Sequence, residues 1–174
     1  MGTINYGTSK YITMGYYPID RFELEQDDSF MNEMRWSVDE YGGTLDYAID
    51  EYITDCEAAD FRTIRNIINK YSFNIFSVSL ECGYYDGFYI NIGLDYIFDN
   101  WAEKREAQKE ATALGNLLRE CANNGLVECF PGWGTSYSNH AETLRAIEKA
   151  VKAMREDIKN APTYRTLRRG KVSA

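Results

Sequence analysis

The chain has 174 residues, of which 44% are apolar and 26% are charged, and its formal net charge at pH 7 is −8. This length corresponds to about one domain, and the apolar content is that of a globular protein, which excludes wholesale disorder. No run approaches the roughly 20 apolar residues that span a bilayer, and the N-terminal sequence lacks the pattern of a secretory signal. We therefore expect a cytoplasmic protein without a membrane partner.

The chemistry-bearing residues argue against an enzyme. The four cysteines are dispersed without a C-x-x-C pair, and the single histidine, His140, has no ligand or nucleophile at a recognisable spacing. The Gly-rich stretches lack the Lys-Ser/Thr ending of a phosphate-binding loop, and no calcium-loop pattern occurs. We predict reduced thiols, no catalytic residue, no metal site and no cofactor.

The N-terminal nineteen residues are rich in Gly, Thr and Tyr and have no helical period. Residues 3–6 could add an edge strand to a sheet, and Gly7 and Gly15 are predicted to be turns. This irregular segment ends at Pro18.

Two helical stretches follow. The first is predicted to begin near Asp27 or Asp28, either of which can cap it, and to end at about Tyr41 because Gly42 and Gly43 come next. Thr44 then caps a second stretch, in which apolar residues recur every three or four positions. This second stretch is either two helices or one kinked helix.

The period then changes from helical to alternating. In residues 74–82, and again in residues 88–94, apolar and polar side chains alternate along the chain. This pattern is typical of strands with one buried face, and the short Gly-containing connection at 83–87 predicts an antiparallel hairpin.

A long helix is predicted from Asn100, which can cap it, to about Asn123. Gly115 lies inside this helix, where glycine costs about 1 kcal/mol relative to alanine. We therefore expect another element to approach the helix closely at this position. Residues 126–130 have the pattern of a third strand.

The last predicted helix begins at Ser138 or Asn139 and ends at Asn160. Its apolar stripe consists of Leu144, Ile147, Val151, Met154 and Ile158. The alternating steps of three and four form a seam for another helix, either in the same fold or in a second copy of the chain.

Together these elements predict an α+β fold. A small antiparallel sheet of three strands, or four if the N-terminal segment joins, would be covered by about five helices. We expect a single domain over residues 1–162. Residues 163–174 would form a mobile, basic C-terminal tail, whose cations are Arg165, Arg168, Arg169 and Lys171.

The strongest signal is the charge of residues 20–60. They contain fourteen carboxylates against two arginines, a local charge of −12 that leaves +4 on the rest of the chain. Asp46 and Asp50 stand four residues apart, as do Glu51 and Asp55, and like charges at this spacing oppose a helix by about 0.2–0.5 kcal/mol per pair. A row of carboxylates on a helix resembles the phosphate backbone that a DNA-binding groove accepts.

We therefore predict an acidic partner-binding surface on these helices. Its residues are Asp27, Asp28, Glu33, Asp39, Glu40, Asp46, Asp50, Glu51, Asp55 and Glu57. The competing interpretation is a solvated acidic face that serves solubility alone.

Three segments carry a family resemblance. They are residues 4–16 (INYGTSKYITMGY), residues 83–88 (GYYDGF) and residues 125–133 (GLVECFPGW). Together they resemble small acidic proteins carried by bacteriophages and mobile elements of Gram-positive bacteria, of the anti-CRISPR and antirestriction kind. The resemblance implies evasion of a host defence, but it assigns no role to any residue.

These observations favour a non-enzymatic inhibitor, a DNA mimic that occupies the basic groove of a CRISPR effector, Cas9 first, or of a restriction enzyme. Direct contact with nucleic acid is expected only from the basic tail. One alternative is a homodimeric regulatory protein assembled through the last helix. Another is a small-nucleotide binder that uses Tyr84, Tyr85 and Trp133.

Overall fold

The computed structural model describes residues 11–82, 87–94, 97–130 and 136–164. The chain divides into two compact units. Residues 18–63 form what we call the helical unit, and residues 1–17 with 64–174 form the sheet unit. No helix in the described ranges is long and apolar enough to cross a membrane. The single domain over residues 1–162 stays a prediction.

The helical unit begins with two capped helices. Helix α1 (Arg21–Glu25) is capped by Asp20, and helix α2 (Asp28–Tyr41) by Asp27, whose carboxylate accepts hydrogen bonds from two backbone N–H groups of the first turn. The predicted bounds of α2 are confirmed. It ends at Gly42, whose φ of 81° lies in the left-handed region that favours glycine.

Helix α3 (Leu45–Asn69) is continuous over 25 residues, so the second helical stretch is one helix. The backbone N–H of Tyr47 donates to the Thr44 hydroxyl at 3.2 Å, which confirms the predicted cap. Residues 45–63 of α3 belong to the helical unit, and the remainder belongs to the sheet unit.

The helical unit has a small core between α2 and α3. Its buried side chains are Phe30, Met31, Met34 and Ile49, with Leu24, Leu45, Ala48 and Ile53 packed around them. The ring of Phe30 also lies 4.9 Å from that of Tyr52, measured between centroids. Burial of each of these four side chains contributes about 1.5–3 kcal/mol, so the apolar core of this unit is small.

The sheet unit contains an antiparallel sheet in the order β2-β3-β1-β4-β5. Its strands are β1 (Met14–Tyr16), β2 (Phe76–Cys82), β3 (Phe88–Leu94), β4 (Leu126–Phe130) and the two-residue β5 (Ser136–Tyr137). The predicted hairpin is confirmed as β2 and β3, in the register that pairs Val78 with Ile92. Together with the helices, this sheet confirms the α+β fold class.

The N-terminal segment forms an interior strand, which corrects the expected turn at Gly15. Strand β1 pairs with β3 on one side and with β4 on the other, and Met14 faces both Ile90 and Glu128 in the register. A Cβ at Gly15 would lie 2.8 Å from the Cys129 sulfur, so the glycine allows close packing inside the sheet. The expected edge strand at residues 3–6 lies outside the described residues.

Two long helices, α4 (Trp101–Asn123) and α5 (His140–Asn160), pack against each other in the sheet unit. Asn100 and Asn139 cap them as predicted. A Cβ on Gly115 would lie 2.7 Å from Val151 Cγ2, which confirms the close approach expected at this glycine. The stripe of α5 is thus packed within the chain, where Ile147, Met154 and Ile158 are fully buried. The homodimer alternative loses the seam that suggested it.

Two buried charged side chains join elements of the sheet unit. The carboxylate of Glu110 on α4 accepts hydrogen bonds of 2.9–3.1 Å from the backbone N–H groups of Asn74, Ile75 and Phe76, where β2 begins. The ammonium of Lys104 donates to the carbonyls of Lys159 and Ala161 at the end of α5. Each satisfies backbone groups that would otherwise lack partners.

Pairing of the C-terminal segment continues beyond the predicted start of the tail. Phe98 forms a parallel bridge with Thr163, and the Tyr164 N–H donates to the Phe98 carbonyl at 2.9 Å. Thr163 is buried. The basic residues of the predicted tail begin at position 165, outside the described residues.

Candidate partner-binding surface

All ten predicted partner-binding carboxylates lie in the helical unit. Residues 18–63 contain fourteen carboxylates and three arginines, which gives this unit a net charge of −11. Nine of the ten side chains are exposed, and Glu57 is half-buried. The ten carboxylates do not all have the same surroundings.

Arg21 of α1 holds two of them. Its guanidinium donates to Asp46 at 2.6 Å and to Asp50 at 2.7 Å on α3, and to Glu25 at 2.8 Å on its own helix. The cation therefore offsets the repulsion between Asp46 and Asp50 that suggested selection for a partner. Both carboxylates remain largely open to solvent, with side-chain exposures of 87% and 65%.

The four acidic residues first singled out on α3 occupy two sides of the helix. At 100° per residue, Asp46 and Asp50 lie on the side that α1 contacts, and Glu51 with Asp55 lie about 140° further round. They therefore form two rows instead of one. Glu51 and Asp55 have no cation partner in the described part of the chain.

Two more of the ten carboxylates have roles or contacts within the chain. Asp27 caps α2 through hydrogen bonds to Ser29 N at 2.9 Å and Phe30 N at 3.2 Å. Glu57 has an interaction partner of its own. Six exposed carboxylates remain without a cation among the described residues, and we call them the outer carboxylates: Asp28, Glu33, Asp39, Glu40, Glu51 and Asp55.

Exposed aromatic side chains accompany this charge, which the sequence analysis missed. In the described residues, nine large hydrophobic side chains are exposed, and five of them lie in the helical unit. They are Phe22, Trp36, Tyr41, Tyr47 and Tyr52. The exposure of Trp36 could have been predicted from the helical period of α2, because Trp36 lies about 180° from the buried stripe formed by Phe30, Met31 and Met34.

Tyr52 on α3 interacts electrostatically with Glu33 on α2. Its pKa is raised, first by a hydrogen bond and electrostatic interaction with the Cys56 side chain, then by partial burial, and to a smaller extent by Glu33 on α2. Tyr52 therefore keeps its phenolic proton at neutral pH and presents a neutral polar group beside Glu33.

The described residues include no group of three His, Cys, Asp or Glu side chains placed to hold a metal ion. Burial raises the pKa of Cys121 to about 12 and that of Cys129 to about 11, so both thiols are protonated and weakly nucleophilic at neutral pH. His140 is exposed at the first position of α5. The aromatic residues of the nucleotide-binding alternative, Tyr84, Tyr85 and Trp133, lie outside the described ranges.

Comparison with known proteins found no matching family model, no matching curated protein and no matching solved structure. The charges, contacts and exposures of the helical unit are therefore the features of this chain that bear on its function.

Proposed function

We propose that this protein inhibits a nucleic-acid-targeting complex by placing the outer carboxylates in the basic groove that the complex uses for DNA or guide RNA. The partner class is a CRISPR effector, Cas9 first, or a restriction enzyme. The setting is the cytoplasm of a bacterial host, with the protein encoded by a phage or mobile element and acting without catalysis. Inhibition would then result from electrostatic binding and not from a catalysed reaction.

The observation that supports this proposal is the concentration of net negative charge on the helices of this unit. Helix α2 has 14 residues, a length of about 21 Å at 1.5 Å per residue. A B-DNA segment of that length carries about 12 phosphates, and the helical unit carries a net charge of −11. The charge of the unit, which is spread over α1, α2 and the first 19 residues of α3, is thus of the same order as that of a DNA segment of helix length. A groove that attracts DNA would therefore attract this unit.

A solubility role predicts a different distribution of charge. Solubility needs net charge but does not require that it be confined to one part of the chain. Here the charge is confined to 46 residues that also expose five aromatic side chains. Exposed aromatics oppose solubility and are enriched at protein interfaces, which favours a contact surface.

The decisive variant removes outer carboxylates without disturbing the Arg21 network or the helix caps. Its substitutions are Glu33→Gln, Glu40→Gln, Glu51→Gln and Asp55→Asn. The matched control removes the same number of charges from the sheet unit, and its substitutions are Glu81→Gln, Glu106→Gln, Glu148→Gln and Glu156→Gln. Circular dichroism and urea unfolding would verify that both variants fold.

Wild type and both variants would be used to recover partners from host lysate, and the retained proteins would be identified by mass spectrometry. The affinity of each protein for purified Cas9–guide complex would also be measured directly. Four lost charge contacts at about 0.2–1 kcal/mol each correspond to binding weaker by about fourfold or more. We expect this loss in the outer-carboxylate variant alone, together with loss of inhibition. Equal retention of the same nucleic-acid-binding partner by all three proteins would contradict the proposal.

A further inference from the structure

Trp36 occupies an unusual position on the acidic surface. It lies on the side of α2 opposite the core, and 58% of its surface is exposed. Tryptophan is among the weaker helix formers, and a solvent-facing helix position normally carries a small or charged side chain. Neither the core nor the helix therefore accounts for an indole at this position.

The neighbours of Trp36 on the helix surface are carboxylates. Glu33 precedes it by three residues and Glu40 follows it by four, positions at which Cβ atoms are about 5–6 Å apart on the same face. Both belong to the outer carboxylates, which have no cation partner in the described part of the chain. The indole is thus flanked by two negative groups along one stripe of α2.

The ring of Tyr41 completes the arrangement. Its centroid lies 6.1 Å from that of Trp36 with the two rings at 89°, an edge-to-face contact. Tyr41 is itself 78% exposed, so the pair forms an aromatic platform on the surface. Arg35, the cation of α2, donates to Asn32 at 3.4 Å, and no described lysine or arginine lies over the Trp36 ring.

Resting on the proposed function, we infer that Trp36, Glu33 and Glu40 form a binding site for an arginine side chain of the partner's basic groove. The guanidinium would stack on the indole, which is the best aromatic acceptor of a cation. Its N–H groups would donate to the flanking carboxylates. Arginine fits this site better than lysine because it is planar, weakly hydrated and carries five donors in a fixed fork.

This site would select among basic partners. A purely electrostatic surface binds lysine and arginine equally, since both carry one positive charge. Stacking on Trp36 adds a contact that the compact, strongly hydrated ammonium of lysine makes less well. Partners whose grooves contact phosphates through arginine would therefore be preferred over equally basic partners rich in lysine.

The test compares a nine-residue arginine peptide with a nine-residue lysine peptide by isothermal titration calorimetry at one fixed salt concentration. Wild-type protein is expected to bind the arginine peptide about two- to fivefold more tightly, the range for an exposed cation–π contact. Trp36→Ala and Trp36→Leu should both lose this preference and bind the lysine peptide as wild type does. Trp36→Leu keeps apolar area without a ring face, which separates stacking from general apolar contact.

Trp101→Ala is the matched control, because Trp101 is 61% exposed and lies in the sheet unit beneath the Lys104 ammonium. It should keep the arginine preference. In heteronuclear NMR spectra, the indole N–H signal of Trp36, assigned by its absence from Trp36→Leu, should shift with the arginine peptide more than with the lysine peptide.

Equal binding of the two peptides by wild type, with no effect of Trp36→Ala, would overturn the arginine site while leaving the proposed charge-based function in place. Failure of wild type to bind either peptide would overturn both. Retention of the arginine preference by Trp36→Leu would also overturn the site, since the preference would then not depend on the ring.

Discussion

Arg21 shows how one residue changes the interpretation of an acidic sequence. Its three short contacts, to Glu25, Asp46 and Asp50, make part of the negative charge internal to the helical unit. The spacing of Asp46 and Asp50 was visible in the sequence, but their cation was not. Arg21 precedes them by 25 and 29 residues and lies in a five-residue helix that is too short to show a period.

Replacing Arg21 should therefore destabilise the protein in a salt-dependent way. Arg21→Gln leaves Asp46 and Asp50 facing each other without a cation, so we expect a lower urea midpoint at low salt. The difference from wild type should shrink in about 1 M salt, where the Debye length is about 3 Å. Arg35→Gln is the control, because the described contact of Arg35 is a long hydrogen bond to Asn32. Equal effects of the two substitutions at low salt would contradict this account.

The buried thiols give the sheet unit a defined response to alkaline pH. The pKa of Cys121 rises from an ordinary value of 9.0 to about 12, so above pH 9 the unfolded chain loses a proton that the folded chain retains. The contribution of the Cys121 thiol to the free energy of unfolding is fully present below pH 9 and decreases as the pH rises toward 12. At pH 10 the loss is about 1.4 kcal/mol for one such thiol.

The measurement is urea unfolding of wild type and Cys121→Ala at pH 8 and pH 10. We expect the free energy of unfolding to fall less between these pH values in the variant, since tyrosines titrate in both proteins. In the folded state at pH 8, a thiol reagent should modify the exposed Cys82 well before Cys121 and Cys129. Identical pH slopes in the two proteins, or fast modification of Cys121, would show that this thiol is not buried.

At the scale of elements, Gly115 is where the sequence was most informative about packing. Its cost to the helix predicted a close neighbour, and that neighbour is Val151 of α5. The sequence could not name Val151, because helical periodicity shows which side of a helix is buried but not which residue packs opposite. The contact identifies the side on which α4 and α5 are closest.

Gly115→Ala should be unfavourable in the wild-type background despite the better helix propensity of alanine. The new Cβ would lie 2.7 Å from Val151 Cγ2, and overpacking costs about 1–3 kcal/mol against a propensity gain of about 1 kcal/mol. In a Val151→Ala background the clash is gone, so the same substitution should become stabilising by up to about 1 kcal/mol. A double-mutant cycle by urea unfolding measures this coupling. Additive effects would contradict close packing at this position.

The elements that sequence reasoning found and missed differ in length. The boundaries of α2, α4 and α5 and the β2–β3 hairpin followed from caps and from several repeats of a period. Strand β1 has three residues and α1 has five, too few for a period to be seen. Glu110 was also beyond reach, because its backbone partners lie 34–36 residues away and its surroundings in the sequence look like a solvated helix face.

At the scale of the whole molecule, the net negative charge is located in one of the two structural units. The helical unit carries a net charge of −11, while the rest of the chain is net positive. The sequence located this charge and the ten carboxylates. It could not separate the outer carboxylates from those held by Arg21 or used as a cap, nor place Trp36 among them, because both distinctions depend on which side of a helix faces its neighbour.

The measurement that tests the central claim most directly is the salt dependence of partner binding. The dissociation constant of the purified complex with the recovered nucleic-acid-binding partner would be measured from about 50 to 500 mM salt for wild type and both charge variants. We predict steep weakening with salt for wild type and the sheet-unit control, a shallower slope and weaker binding for the outer-carboxylate variant, and displacement by DNA. The same affinity and slope for all three proteins, without competition by DNA, would contradict the account.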